Sequence, residues 1–293
     1  MSSRLPIKNQ NNHKIIKLLP KYIIMDLNLT AYYNSIASQY KSSSQISGRI
    51  TEKWASDNLY CPKCGSNLNQ YPNNKPVYDF YCDHSNEKFI VVPRENFQLK
   101  STHNFPKRAF SNKIQGGEYN TAMRILKHGI FPSLILLHYE RRVMAVEDVL
   151  LVHRLSITSS CIRPRKPLSI TARRAGWQGS IITLDMIPKL GRIMMIDDSN
   201  IIAKSIVQNK WDKVSRLLKG DITQRGWTAD IINIIDRLQL RFSLDDVYEY
   251  KNELASLHPQ NRHVKDKIRQ QLQILRDRKF IRFIGSGEYE KVK

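Results

Sequence analysis

The sequence predicts a mixed α/β (α+β) core followed by a small helical domain that closes with a β-hairpin. Three observations predict it. Short apolar strand-like runs alternate with helical segments as far as residue 222. From residue 223 the pattern changes to three helices and a hairpin. The chain has 293 residues, 41% of them hydrophobic and 25% charged, which suits a globular chain of one large or two ordinary domains.

The elements follow in order. Residues 1–24 carry five basic residues, no acid and little periodicity, so they read as a flexible basic tail, and Met25 is a second candidate start. Ser43 to Trp54 reads as a helix, because Ile46, Ile50 and Trp54 recur every four residues on one face. Tyr60 to Gly65 reads as a knuckle. Val77 to Tyr81 and Phe97 to Leu99 read as short strands, Glu118 to Lys127 as a helix, and Leu134 to Tyr139 as an apolar strand. Val146 to His153 and Arg192 to Asp197 are further strands.

In the second part, Thr228 reads as the cap of a helix bearing Ile231, Ile232, Ile234, Ile235 and Leu238. Ser243 caps the next, with Asp245 and Asp246 in its first turn, where negative charge favours the positive helix end. A third helix runs from His263 to Arg278, with Val264, Ile268, Leu272 and Leu275 in one stripe. Phe280 to Phe283, a Gly285-Ser286-Gly287 turn and Tyr289 to Val292 form the hairpin. Three helices and a hairpin make a winged helix, which sets its third helix into the DNA major groove. The residues it would present there are His263, Lys265, Lys267, Arg269 and Gln270.

Charge points the same way. The formal net charge is +21, and 47 basic residues stand against 26 acidic ones. Residues 141–192 hold Arg163, Arg165, Lys166, Arg173 and Arg174 with few acids between them, a pattern that favours an anionic partner over a merely solvated face. No run approaches the ~18 apolar residues of a membrane span. No secretory signal is visible, and four cysteines, three of them clustered, suit a reducing, cytoplasmic compartment.

The clustered cysteines are candidate metal ligands. Cys61 and Cys64 form a Cys-x-x-Cys knuckle, and Cys82 follows after 17 intervening residues. Tetrahedral zinc takes two such knuckles. Here the second reads Cys82-Asp83-His84-Ser85, so a hydroxyl stands at the expected fourth position and His84 is the available substitute. Such a site would be structural. The alternative is three buried thiols packed as small hydrophobes.

A second constellation carries the candidate chemistry. Asp79 precedes Cys82, and Gln98-Leu99-Lys100 follows on the adjoining strand. Residues two apart on a strand share a face, so Gln98 and Lys100 would point together toward a cation held by Asp79. An acid followed by acid-x-Lys suits metal-dependent phosphodiester cleavage: Asp79 and position 98 hold Mg²⁺, and the lysine orients or deprotonates the attacking water. Position 98 is Gln, whose carbonyl ligates a hard cation without bringing charge.

Longer strings carry a resemblance. Cys61-Pro-Lys-Cys-Gly65, Pro76 to Cys82 (PVYDFYC), Pro167 to Trp177 (PLSITARRAGW), Arg225-Gly-Trp227 and Lys267 to Asp277 (KIRQQLQILRD) resemble the DpnI-type methyl-directed type II restriction endonucleases, from about Met25 to Lys293. The resemblance implies a PD-(D/E)XK nuclease domain with a zinc site over residues 25–222 and a winged helix over 223–293. It implies a substrate, duplex DNA with N6-methyladenine in GATC, cut blunt between methyladenine and thymine. It places Asp79 at the first catalytic acid, Lys100 at the lysine, Gln98 where the family has Glu, and Glu52 at a further acidic position that could supply charge to the metal. Arg173, Arg174 and Trp177 fall in the family's DNA-facing motif, where an indole suits a methylated base and the arginines suit phosphates or guanine edges. Ser85 replaces a zinc cysteine, and Ile90 to Gln98 and Asn104 to Lys113 look inserted. The expected protein is therefore a Mg²⁺-dependent, methylation-dependent endonuclease, monomeric in solution. The alternative is a catalytically weakened methyladenine reader or regulator, which Gln98 favours.

Overall fold

The structure, a computed structural model, describes residues 25–72, 77–83, 94–103 and 110–292. The basic tail 1–24, His84 and Ser85, and residues 90–93 and 104–109 of the two inserted-looking segments lie outside the described residues. The described chain begins with helices α1 (Thr30–Ile36) and α2 (Ser43–Asn58). Strands β1 (Asn69–Gln70), β2 (Phe80–Cys82), β3 (Glu95–Thr102) and β4 (Lys113–Glu118) follow, then helix α3 (Tyr119–Lys127). Next come β5 (Ser133–Glu140), β6 (Ala145–Val152), β7 (Ile162–Pro164), β8 (Gly179–Thr183), β9 (Arg192–Asp197) and β10 (Asn200–Ile201). Helices α4 (Lys204–Leu217) and α5 (Ile222–Arg237) lead to β11 (Arg241–Ser243), α6 (Leu244–Tyr248), α7 (Lys251–Leu257), α8 (Val264–Asp277), β12 (Ile281–Gly285) and β13 (Glu288–Lys291).

The core is a mixed seven-stranded sheet in the order β1-β2-β3-β5-β6-β9-β10. Only β3 and β5 pair in parallel within it. A parallel pair needs a crossover, and here the crossover carries β4 and α3. The run Leu134 to Tyr139 is buried along its whole length, which is why it reads as continuous rather than alternating. One face of the sheet packs on α2 and α4 through Phe97, Ile135, Leu137, Trp54 and Trp211. The other packs through Leu134, Leu136, Leu150 and Val152 on α3 and on a three-stranded sheet, β4-β8-β7. Phe97 and Leu99 join the α2/α4 core, so Gln98 and Lys100 face the opposite side.

The C-terminal part has its own sheet, β11-β13-β12, behind α5 to α8. Ser243 and Asp246 form the reciprocal cap that opens α6. Ile268, Leu272 and Leu275 are buried in the predicted stripe. The expected cap at Thr228 is corrected. The cap of helix α5 lies about two turns earlier, at Asp221, whose carboxylate accepts the Gln224 N–H at 2.8 Å. Thr228 is buried inside the helix, its hydroxyl 2.7 Å from Gln271 Oε1 of α8, so it links two helices. The expected strand Val77 to Tyr81 is also shifted: Val77 has a φ of 74° and pairing begins at Phe80. Among the described residues no helix is long and apolar enough to cross a membrane.

Candidate active site and nucleic-acid interface

Strands β2 and β3 pair antiparallel with Phe80 opposite Phe97. Continued by one residue, this register sets Asp79 opposite Gln98. Three bonds hold Asp79 there. Its N–H donates to Phe97 O at 2.9 Å, its carbonyl accepts the Tyr71 N–H at 2.9 Å, and its Oδ2 accepts the Leu99 N–H at 2.7 Å. Burial raises the Asp79 carboxyl above the usual range, and the Leu99 bond and the Lys100 charge offset part of that. Burial lowers the Lys100 ammonium, and Asp79 draws it back up.

Glu52, on α2, belongs to the same electrostatic group. Burial raises its carboxyl, the Arg49 guanidinium 2.9 Å away lowers it, and the charge of Asp79 raises it again. The charge of Asp79 disfavours that of Glu52, so the two carboxylates are near neighbours, and oxygen donors of this kind suit a hard divalent cation.

The string Pro167 to Trp177 is a loop between β7 and β8. Leu168 N–H donates to Trp177 O at 2.9 Å and Gly176 N–H to Leu168 O at 3.1 Å, closing it. Arg174 lies over the Trp177 ring, 4.8 Å from its centroid. Gly179 is required beneath the indole, because a Cβ there would sit 2.9 Å from the ring. Arg163, Lys166, Arg173 and Arg174 are all exposed. Arg174 and Trp177 line a cavity of about 360 Å³ together with Gln98 and Glu118. Lys100 lines a neighbouring one of about 380 Å³ with Phe110, Lys113 and Gln115. The structure thus brings Gln98 and the Arg174–Trp177 pair to one cavity, although they lie 76 and 79 positions apart in the chain.

Sequence reasoning missed Glu118, Lys113 and Gln115 as wall residues. The available signal was Gly116-Gly117 before a helix. Gly116 lets β4 approach β8, since a Cβ there would lie 2.2 Å from Ser180 Oγ. Glu118 caps α3 by accepting the N–H groups of Asn120 and Thr121 at 2.9 and 2.6 Å.

Cys61, Cys64 and Cys82 come together. The knuckle is turned by Gly65 N–H to Cys61 O and Cys61 N–H to Ser66 O, both 2.7 Å. The three sulfurs lie within 4.8 Å of one another, with Cys64 and Cys82 at 3.5 Å. Tetrahedral zinc bonds of about 2.3 Å set sulfurs ~3.8 Å apart, so the triad fits a thiolate-bound metal. The expected ligand His84 lies outside the described residues. Cys161 is buried and remote, its thiol 3.4 Å from Met186 O.

On α8, His263, Lys265, Arg269 and Gln270 are exposed and Lys267 is half-buried. Lys265 and Arg269, one turn apart, both lie over the Tyr248 ring of α6, at 4.8 and 5.7 Å. Lys267 Nζ donates to Gln270 Oε1 at 2.7 Å. The helix therefore presents a mostly basic outer face. The helical part is joined to the core by Asp230 of α5, which accepts from Ser160 at 2.7 Å and lies 2.8 Å from His258 Nε2.

The sequence model of DpnI, the Dam-replacing family, matches residues 25–220. That of DpnI_C, the Dam-replacing HTH domain, matches residues 223–291. A helix-turn-helix domain with a basic exposed helix is a DNA-binding unit. The chain belongs to the DpnI Dam-replacing family and carries that family's HTH domain at its C-terminal end.

Proposed function

We propose that the protein is a methylation-dependent type II endonuclease that cleaves duplex DNA at GATC sites containing N6-methyladenine. The observation that carries this reading is the cavity shared by Gln98, Arg174 and Trp177, with Lys100 two residues further along β3 on the same face as Gln98. Chemistry and base recognition then meet at one place. On this reading residues 25–222 form a PD-(D/E)XK nuclease domain and residues 223–293 a winged helix.

Asp79 and Gln98 would hold Mg²⁺, with Glu52 supplying further negative charge; the ion, when bound, would supply Lewis-acid activation of the scissile phosphate and its water. Lys100, whose ammonium burial pushes down and Asp79 draws back up, would accept the proton of the attacking water or orient it. Arg173 and Arg174 hold phosphates or a guanine edge, and Trp177 packs on the methylated base. His263, Lys265, Lys267, Arg269 and Gln270 read the site a second time from the major groove, where the N6-methyl group is exposed. Cys61, Cys64 and Cys82 would hold a structural Zn²⁺, with His84 the sequence's candidate for the fourth ligand.

A second reading is a methyladenine-binding regulator with weakened cleavage. Gln98 favours it, because the site has one carboxylate fewer than the family pattern. Short duplexes with GATC methylated on both strands or neither separate the two. The endonuclease reading expects Mg²⁺-dependent cutting of the methylated duplex, and a Lys100→Met variant that binds it without cutting. Tight binding by the unaltered protein with no product over a range of Mg²⁺ and Mn²⁺ would favour the regulator.

A further inference from the structure

The β5–β6 pairing is irregular near its open end. His138 pairs with Asp148, and the register then slips so that Tyr139 pairs with Val146. Glu147 is the extra residue. Neighbours on a regular strand face opposite sides of a sheet. The bulge instead turns Glu147 and Asp148 toward the same histidine, a re-aiming that bulges commonly perform.

His138 Nδ1 lies 3.3 Å from Asp148 Oδ2 and 3.6 Å from Glu147 Oε2. The three ligand atoms all lie within 4.8 Å of one another. Charge-assisted hydrogen bonds close to about 2.7–2.9 Å; the His138–Asp148 hydrogen bond is longer, at 3.3 Å, and the Glu147 contact is longer still. Both separations match the edges of a coordination shell, since ligand bonds of about 2.1 Å at tetrahedral angles set donors ~3.4 Å apart. His138 and Asp148 are 5% and 4% exposed.

The surroundings hold these groups in place. The other oxygen of Asp148, Oδ1, accepts the Asp198 N–H at 2.9 Å, and Ser199 N–H donates to Glu147 O at 2.8 Å. Both donors sit in the β9–β10 turn, where Asp198 and Ser199 have φ of 50° and 63°. A carboxylate with one oxygen fixed by a backbone N–H and the other aimed at its neighbours is the arrangement that orients metal ligands.

We propose that His138, Glu147 and Asp148 bind a divalent transition cation, Mn²⁺ or Zn²⁺. One imidazole nitrogen and two carboxylates suit both ions, and unlike the cysteine triad they offer Mn²⁺ the oxygen-rich shell it prefers. The site is separate from both the cysteine triad and Asp79. It ties the bulged β5–β6 pair to the β9–β10 turn. His138 pairs across β3 with Thr102, two residues past Lys100, so the cation would stiffen the sheet next to the strand that carries the lysine.

The test uses the full chain carrying Asp79→Ala, which removes the other oxygen-rich site, after stripping with EDTA. Mn²⁺ is titrated and followed by electron paramagnetic resonance, because thiolates hold Mn²⁺ poorly. The expected result is a single bound Mn²⁺ per chain with nitrogen coupling from one imidazole, displaced by Zn²⁺. Adding His138→Gln or Asp148→Asn should weaken it about tenfold or more. No bound Mn²⁺, or bound Mn²⁺ without nitrogen coupling, overturns the proposal. So does unchanged affinity in a variant whose circular dichroism matches its parent. If both variants unfold, the nitrogen coupling in the parent decides alone.

Discussion

Replacing Gln98 with Glu tests the metal site through charge. The substitution keeps side-chain length and adds one negative charge opposite Asp79. Residues opposed across an antiparallel pair have Cβ atoms about 5 Å apart. Two unit charges at ~5 Å repel by about 3 kcal/mol at an effective dielectric of 20. That is about two pKa units at ~1.4 kcal/mol each. Burial already raises the Asp79 carboxyl, and the charge of Asp79 raises that of Glu52. In Gln98→Glu without a cation, one carboxyl of the pair should therefore hold its proton well above the ordinary carboxylate range. A divalent cation expels that proton. The variant should bind Mg²⁺ at least about tenfold more tightly at pH 8. The advantage should shrink as pH falls and protons compete. The assay is plasmid cleavage against Mg²⁺ concentration at pH 6 and pH 8. An unchanged or higher half-saturating Mg²⁺ at pH 8, in a folded variant, would refute the assignment of position 98 to the cation.

Three further outcomes follow from the same geometry. Asp79→Asn should abolish cleavage yet raise the melting temperature in EDTA at pH 8. The folded pKa of Asp79 is raised, so its contribution to stability is present at low pH and lost as pH rises through that value; the gain from Asn should fade toward acid, as thermal melts across pH would show. Cys61→Ser should lose the zinc measured by elemental analysis and at least ~3 kcal/mol of stability, lowering the melting temperature by about 10 °C; unchanged metal content would remove the cysteine triad as its site. Trp177→Ala should reduce the preference for methylated over unmethylated duplex about tenfold or more, close to the transfer energy of a buried methyl plus the lost Arg174 stack; an unchanged ratio would place methyl recognition elsewhere.

Much of the fold is legible because apolar pattern and burial coincide. β9 spans the expected Arg192 to Asp197, and the run of β5 is apolar because both its faces are covered. The stripe of α8 is likewise both visible and buried. Other parts are hidden for physical reasons. α4 buries only Val207, Trp211, Val214 and Leu217 among polar residues, so its period is faint. β4 ends in Gly116-Gly117-Glu118, which reads as a turn until β8 is seen beside it. The start of α5 is masked because Asp221 caps a polar first turn, whereas Thr228 precedes the apolar run and resembles a cap. In the candidate site, the facing of Gln98 and Lys100 follows from strand alternation alone. The closeness of Trp177 to Gln98 does not, because it depends on a second sheet folding back from β7 and β8. The His138 group is invisible in sequence for a similar reason, since only a bulge brings adjacent acids to one side.

The central claim is that Asp79, Gln98 and Lys100 cut DNA chosen by its methylation. The most direct measurement is cleavage of one plasmid prepared with and without adenine methylation at GATC, with Mg²⁺, by the full-length protein and by Asp79→Ala. The account predicts defined fragments from the methylated plasmid alone, none from the unmethylated one, and none with Asp79→Ala. Equal cutting of both plasmids, or cutting that survives Asp79→Ala, would contradict it.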